Sequence, residues 1–230
     1  MNDRSDEQIK SGAYEKNARM SIPTYDGLFK MIQSYFRAQF INQDASLLIV
    51  GAGGGNELAT WGPSNPTWSF TGIDPSEEML AMAQEKVDTL GLEKRVSLIQ
   101  GTLNDLPATE TMFDGVSCIL VLQFIEEYDQ KRALLNQIRK RVSSGAPFVL
   151  VTAYGDRDSA ELQQRIEIWK SFFLDNGFDQ TKVNGMGKTI MNLSFTPEDQ
   201  LIALLKEAGF TNVTRFYSTG LFGGWMCEAD

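Results

Sequence analysis

A glycine-rich segment between an apolar run and an acid is the part of this sequence best suited to hold a ligand. Four aliphatic residues at 47–50 are followed by glycines at 51, 53, 54 and 55, and then by Glu57. Such an apolar run is typical of a parallel strand covered on both faces, and glycines let backbone approach a ligand where a Cβ would collide. This order of residues predicts a buried strand that ends in a ligand-binding turn.

The turn matches the dinucleotide-binding fingerprint G-x-G-x-x-G only in part. Gly51 and Gly53 occupy its first two glycine positions, but Asn56 stands at the third, where glycine allows close packing of the first helix on the strand. The neighbouring Glu57 would repel a phosphate from a helix N-terminus. The same carboxylate suits a cofactor that carries an ammonium and a sulfonium charge, and S-adenosylmethionine is such a cofactor.

Asp74 ends the second predicted strand, where a carboxylate can accept hydrogen bonds from both hydroxyls of a ribose. Dinucleotides and S-adenosylmethionine share this requirement, so Asp74 does not choose between them. Its alternative role is that of a helix N-cap before Pro75.

The composition excludes several kinds of chemistry. The chain has no histidine, which excludes histidine-ligated metal sites and Ser/His or Cys/His nucleophile pairs, and we predict no metal site. A formal net charge of −9 makes nucleic acid an improbable partner and favours a small molecule. Neither a signal peptide nor a membrane-spanning run is evident, so we expect a cytoplasmic protein with no membrane partner. A homodimer is left open.

Apolar runs alternate with helical patterns across residues 47–152, which predicts a doubly wound, mostly parallel α/β sheet. Beyond it we expect a helix over 160–176, a mobile loop or cap over 179–191 and a capped helix from 196–199 to 208. Two final strands, 211–218 and 221–228, would form an antiparallel hairpin edge and complete a seven-stranded sheet. We expect one domain over 1–230, with N-terminal lid helices in 1–43 and a cap insertion at 155–195.

Four motifs, in order, resemble those of class I S-adenosylmethionine-dependent methyltransferases. They are Val-Gly-Ala-Gly-Gly-Gly-Asn-Glu at 50–57, Gly-Ile-Asp-Pro-Ser at 72–76 with Met79, Gln-Gly-Thr-Leu at 100–103, and Phe-Asp-Gly at 113–115 before Val-Leu-Gln-Phe at 121–124. The resemblance implies a Rossmann-like methyltransferase fold and S-adenosyl-L-methionine as cofactor. It places the methionine end on Gly51, Ala52 and Gly53, the ribose on Asp74, the adenine between Pro75 and the Thr102–Leu103 pair, and the pocket floor at Ile119 and Leu120.

Segments 18–25 and 122–126 are similar to the carboxy-S-adenosylmethionine synthase branch, which serves tRNA wobble-uridine modification. This resemblance implies that Tyr25 contacts the cofactor; by its helical spacing alone, Tyr25 belongs either to the core or, with Tyr14 and Arg19, to a lid. The region 182–192, which should supply an arginine for a carboxylated cofactor, has only lysines, and Ile119 replaces a usual polar residue. Lysine does not replace the bidentate guanidinium, so we interpret the chain as a relative that uses the ordinary cofactor.

We therefore predict transfer of a methyl group from S-adenosylmethionine to a small-molecule acceptor by in-line displacement. The alternatives are a carboxy-S-adenosylmethionine synthase-like enzyme and a non-catalytic cofactor-binding protein. A hydroxyl acceptor would need a base, for which Glu57, Tyr154 and Asp156 are candidates. Spacing singles out none of them, and Tyr154 is named because it directly follows the fifth strand.

Two details stay open in the sequence. Thr102 stands where the family usually has an acid for the adenine, so the Leu103 N–H would contribute, or Asp105 would substitute from a shifted loop. Aromatic and methionine side chains of the cap either line an acceptor pocket or cover the sheet; they are Trp169, Phe172, Phe173, Phe178, Met186 and Met191.

Overall fold

Seven strands form one sheet in the order β3-β2-β1-β4-β5-β7-β6. In the computed structural model, which describes residues 18–40, 44–107 and 112–230, the strands are β1 (Ala45–Val50), β2 (Trp68–Asp74), β3 (Val96–Gln100), β4 (Gly115–Ile119), β5 (Pro147–Ala153), β6 (Phe210–Thr219) and β7 (Phe222–Ala229). Strands β1 to β5 pair in parallel, whereas β7 is antiparallel to both β5 and β6. The predicted doubly wound sheet with an antiparallel hairpin edge is confirmed.

Helices connect these strands and cover the sheet. They are α1 (Tyr25–Gln39), α2 (Asn56–Trp61), α3 (Glu77–Thr89), α4 (Tyr128–Arg139), α5 (Ala160–Asp175), α6 (Gln180–Ile190) and α7 (Glu198–Glu207), with a 3-10 turn at Leu122–Phe124. Residues 18–21 are also helical, and Tyr14, one of the predicted lid residues, lies outside the described residues. None of the helices in the described ranges combines the length and apolar composition that a bilayer crossing requires.

The central strands are buried because both faces of the sheet are covered. Every residue of β4 and of β5 is buried. On one face, α1 packs Leu28, Ile32 and Phe36, which recur every four residues and are all fully buried. On the other face, α4 buries Leu135 and Ile138, and α7 buries leucines at helical spacing. This two-sided burial is what allows the apolar run before the glycine turn.

The mobile loop predicted over residues 179–191 is wrong, because this segment forms helix α6. The Asp179 carboxylate caps the helix by accepting a hydrogen bond from the Lys182 N–H at 2.8 Å, and Val183 is fully buried. Gly187 is a close packing position, since a Cβ there would lie 2.8 Å from Lys170 Cε of α5. Packing against α5 therefore outweighs the low helix propensity of glycine.

Two predicted element ends also differ. Thr196 does not cap the following helix; α7 has Pro197 at its N-cap position without a side-chain cap, and the Thr196 hydroxyl accepts from Lys131 Nζ at 2.6 Å. The apolar run at 116–122 predicts a fourth strand over those residues, but strand β4 ends at Ile119. Leu120 adopts a left-handed backbone with φ of 61°, which costs about 1 kcal/mol and turns the chain away from the sheet.

Candidate functional site

The glycine turn lies where the strand order reverses, between β1 and β4. The crevice beyond the carboxyl ends of strands at such a point is the usual ligand site of a doubly wound sheet. Gly51 has a φ of 79°, and a Cβ there would collide with the Val121 side chain. A Cβ at Gly53 would come within 2.8 Å of Asp74 Oδ2. Both positions therefore require glycine, as the fingerprint predicts.

Two backbone groups fix the Asp74 carboxylate at the end of β2. The Gly53 N–H donates to Oδ2 at 3.0 Å and the Ser76 N–H donates to Oδ1 at 2.9 Å. The N-cap of α3 is Ser76, whose hydroxyl accepts from the Met79 N–H, so the alternative role of Asp74 as that cap is wrong. Each carboxylate oxygen has a further acceptor position, so Asp74 can still receive hydroxyl groups of a ligand.

Glu57 is a buried acid in the first turn of α2. Its side chain is only 4% exposed. Burial is the largest of the influences that together raise the pKa of Glu57 to about 7; the nearby Asp74 also raises this pKa, while a hydrogen bond to its own backbone and the charge of Lys86 lower it. A cationic ligand beside Glu57 would favour the ionised carboxylate, so binding of such a ligand would release a proton.

One cavity of about 640 Å³ lies over these groups. Eleven of the twelve predicted cofactor residues line it, namely Tyr25, Gly51, Gly53, Glu57, Asp74, Pro75, Met79, Thr102, Leu103, Ile119 and Leu120. The exception is Ala52, which is fully buried and whose Cβ faces Gly72 of β2 at the close distance that only glycine allows. The structure thus brings the separate sequence motifs together around a single space.

The chain that forms this site is similar in sequence to known proteins. Residues 48–148 match the family described as methyltransferase domain. A carboxy-S-adenosyl-L-methionine synthase of Yersinia pseudotuberculosis is 29% identical over 214 residues, which cover 90% of this chain and 86% of that protein.

Solved structures share the fold. An O-methyltransferase family protein from Burkholderia thailandensis superposes with a TM-score of 0.69 at 14% identity; the match covers 100% of this chain but 61% of that one, so this chain spans less than two thirds of its length. Magnesium protoporphyrin IX methyltransferase from Synechocystis PCC 6803 with bound SAH gives a TM-score of 0.65 at 15% identity. The match covers 94% of this chain and 87% of that one. The chain has the fold of these methyltransferases, and residues 48–148 resemble the methyltransferase domain family.

Asn56 makes two hydrogen bonds beside this cavity that its position in the glycine fingerprint did not predict. Its Nδ2 donates to the Tyr25 hydroxyl at 3.0 Å, and its Oδ1 accepts from Lys86 Nζ at 2.8 Å. Lys86 thereby fixes the orientation of the amide, and the amide holds Tyr25 at the cavity wall. No local pattern indicates these contacts, because the three residues come from three different helices.

Two further hydrogen bonds hold the segment that precedes Tyr25. Trp169 Nε1 of α5 donates to the Ser21 carbonyl at 2.8 Å, and the Tyr217 hydroxyl of β6 donates to the Pro23 carbonyl at 3.0 Å. Tyr25 itself is 4% exposed and packs edge-on against Phe29. It therefore belongs to the core and to the cavity wall at once, which joins the two roles that its spacing left open.

Tyr154 does not line the cavity. Its ring packs edge-on against Trp225 at 5.2 Å and lies 4.2 Å from the Arg165 guanidinium, and its hydroxyl shares a hydrogen bond with Ser218 at 2.9 Å. These contacts account for the residue as a packing element, so we do not propose it as the catalytic base.

Thr102 and Asp105 are partners in one turn. The Thr102 backbone N–H and hydroxyl both donate to Asp105 Oδ2, at 2.8 and 3.0 Å, and these hydrogen bonds lower the pKa of Asp105. The Thr102 hydroxyl donates its hydrogen to Asp105, so its oxygen can still accept a hydrogen bond from an amino group in the cavity. Asp105 is thus engaged as a turn partner, and Thr102 is the side chain of the pair that lines the cavity.

The remaining cavity residues were not predicted as site residues, and most are apolar. They are Phe29, Val50, Asn56, Ile73, Gly101, Val121, Phe124, Ile125, Leu134 and Gln137. Phe124 is 71% exposed although it is a large aromatic residue. Phe124 ends the 3-10 turn that follows β4, and its place in the motif at 121–124 was the available signal.

Proposed function

We propose that this chain transfers a methyl group from S-adenosylmethionine to a small-molecule acceptor. The observation that supports this is one cavity lined by two carboxylates, Glu57 and Asp74, beside the glycine turn. Among the described residues that line it, none is lysine or arginine. Such a cavity suits a cationic nucleoside better than a pyrophosphate or a carboxylated cofactor, each of which would bring like charges together.

The proposal assigns a role to each part of the cavity wall. Glu57 pairs with the ammonium of the cofactor at the glycine turn, and Asp74 accepts the ribose hydroxyls. Apolar walls suit the purine, while Thr102 accepts from its amino group. The full proposed set is Tyr25, Gly51, Ala52, Gly53, Glu57, Asp74, Pro75, Met79, Thr102, Leu103, Ile119 and Leu120, with Ala52 acting through the backbone.

Methyl transfer requires of the protein mainly that it align the acceptor with the methyl group of the cofactor. S-adenosylmethionine supplies an electrophilic methyl group, whose bond to sulfur breaks with both electrons remaining on sulfur. The chain holds an acceptor lone pair in line with that bond and excludes water, which can supply most of the acceleration. We assign the lid to the N-terminal segment that ends in α1 and the cap to residues 155–195, which carry α5 and α6.

Substitution of Asp74 tests the cofactor site. Asp74→Ala is expected to lower S-adenosylmethionine affinity ten- to a hundredfold, because two charge-assisted hydrogen bonds are lost. Isothermal titration calorimetry measures the change, and circular dichroism verifies the fold. Asp88→Ala on the outer end of α3 is the matched control and should bind as the unchanged chain does. Equal affinity of a folded Asp74→Ala chain would remove Asp74 from the site.

The second candidate function is that of a carboxy-S-adenosylmethionine synthase-like enzyme. It is favoured by the 29% identity to the Yersinia synthase over most of both chains. The mass of the ligand that co-purifies with the protein separates the two candidates, since the carboxylated cofactor is heavier by one carboxyl group. We expect the ordinary cofactor, because the described cavity wall offers no basic side chain to a second carboxylate.

A further inference from the structure

A second cavity of about 470 Å³ lies beside the first, between α5, α6 and residue 21. Its volume is in the range of small-molecule sites. Ser21 lines this smaller cavity and Tyr25, four residues later, lines the larger one. On the opposite side, the Ser194 N–H donates to the Gln123 carbonyl at 2.9 Å. Their neighbours Leu193 and Phe124 line the smaller and the larger cavity respectively, so the same two stretches of chain border both cavities.

The smaller cavity is mainly apolar and partly aromatic. Trp169 is 3% exposed, and its indole N–H is already engaged by the Ser21 carbonyl, so its ring offers an apolar surface. Phe178, Met186 and Ile190 contribute further apolar wall. A flat apolar ring is the ligand part that such a wall accommodates best.

One cation stands in this wall. Lys182 Nζ lies 4.5 Å from the centroid of the Phe178 ring. Within the described part of the chain, no carboxylate comes within ion-pair distance of Lys182, and none of the described residues lining the cavity is acidic. In a chain of net charge −9, a cation without an acidic partner beside an apolar pocket favours a ligand that brings its own negative charge.

We propose that the smaller cavity binds the methyl acceptor and that this acceptor is an aromatic carboxylate. The carboxylate pairs with Lys182, the ring packs between Trp169 and Met186, and the group to be methylated faces the larger cavity. The acceptor assignment rests on the proposed methyl transfer, whereas the binding of an aromatic acid at Lys182 does not. For a phenolic acid, the phenol oxygen forms the new bond to carbon, and its proton passes to water.

The test compares 4-hydroxybenzoate with 4-hydroxybenzamide, two ligands of the same shape that differ in charge. Their affinities are measured by ligand-observed NMR on the cofactor-saturated full chain. The unchanged chain should prefer the acid. Lys182→Gln should weaken binding of the acid about three- to fivefold, the range of a solvent-exposed ion pair, and leave the amide unchanged. Lys188→Gln, the same change on the same helix but outside the cavity, should alter neither.

A second pair of variants tests the location by volume. A Cβ at Gly185 would meet no atom within 4 Å, so Gly185→Phe can place a ring in the smaller cavity without distorting the backbone. It should weaken acid and amide alike by at least tenfold. Asn184→Phe, an equal addition on the neighbouring exposed position, should leave both affinities unchanged.

The outcomes separate the acceptor site from the proposed function. Equal effects of Lys182→Gln on acid and amide, or no effect of Gly185→Phe, would overturn the site even if the chain binds S-adenosylmethionine and methylates other molecules. Binding of the acid that depends on Lys182 without any methylation of 4-hydroxybenzoate or related phenolic acids would support the aromatic acid site and count against methyl transfer. Methylation of the acid, lost in Gly185→Phe with unchanged cofactor affinity, would support both.

Discussion

At the scale of single residues, Glu57 links the charge of the cavity to pH. It is buried, and burial raises its pKa to about 7. Asp74 shares the same cavity, so a cation placed there interacts with two carboxylates. Because a cation binds the ionised form of Glu57, the affinity of the site for S-adenosylmethionine must rise as pH rises through that pKa.

The first prediction follows for Glu57→Gln. In the unchanged chain, cofactor affinity should increase about tenfold from pH 6 to pH 8, as the ionised fraction of Glu57 grows. The glutamine variant should bind more weakly at pH 8 and show no such increase. Calorimetry at both pH values measures this, with exposed Asp88→Asn as the control. A pH dependence that persists in Glu57→Gln would assign the titration to another group.

The second prediction concerns the chain of contacts from Lys86 through Asn56 to Tyr25. Tyr25→Phe removes only the hydroxyl, whereas alanine would also empty a core position that is 4% exposed. We expect Tyr25→Phe to lower cofactor affinity about three- to tenfold through one lost hydrogen bond, and Asn56→Ala to lower it at least as much, because that change also removes the acceptor of Lys86 Nζ.

The double variant is expected to lose no more affinity than Asn56→Ala alone, since that change already breaks the one hydrogen bond that Tyr25→Phe removes. Tyr35→Phe is the matched control on α1, because its hydroxyl donates to the Cys227 carbonyl on the far strand of the sheet. Additive losses in the double variant would show that Tyr25 and Asn56 act separately.

At the scale of secondary-structure elements, the sequence predicted those features that depend on residues close to one another along the chain. The apolar strand and the glycine turn depend on neighbours in sequence, and the structure has both. Helix α6 was missed because its stability comes from contacts with α5 that no window of sequence contains. The role of Lys131, which binds the Thr196 hydroxyl across 65 residues, was invisible for the same reason.

The two glycines of α6 give the third prediction. Gly185→Ala should stabilise the protein by about 0.5 to 1 kcal/mol, which corresponds to a rise in Tm of roughly 1 to 4 °C, because helix propensity improves and the new Cβ meets open space. Gly187→Ala should gain less or lose stability, since its Cβ would press on Lys170 Cε. Thermal unfolding of both variants in the same buffer decides this. Equal stabilisation would mean that α6 does not pack on α5 as described.

At the scale of the whole molecule, the cavity assembles residues from Tyr25 to Gln137. The sequence could identify those that belong to recognised motifs, because the motifs carry glycines and acids at fixed spacings. The apolar remainder depends on how α1 and α4 pack on opposite faces of the sheet, and the sequence of a helix does not show which cavity its apolar residues line. The sequence predicted a second cavity only as one of two alternatives, in which the aromatic cap residues either line an acceptor pocket or cover the sheet.

The last prediction concerns how pH and cofactor binding change the free energy of unfolding. The pKa of Glu57 lies above its ordinary value of 4.5 in the folded chain. Its contribution to the free energy of unfolding is therefore fully present below pH 4.5 and is lost as pH rises through about 7, at a cost of about 3 kcal/mol. Without ligand, the unchanged chain should lose stability relative to Glu57→Gln between pH 5 and pH 8. With saturating S-adenosylmethionine the slope should disappear, because Glu57 is then ionised in both the folded and the unfolded chain.

Urea unfolding of both chains at pH 5 and pH 8, with and without cofactor, measures these four differences. The absence of histidine helps, because it removes the side chain that ordinarily titrates between these pH values and would obscure the slope. Since the two chains differ at one site, the difference between their unfolding free energies cancels the titration of every other group that Glu57 does not touch. A difference that stays constant with pH in the apoprotein would show that Glu57 is already ionised when folded, and the cavity would then hold two carboxylates before any cation binds.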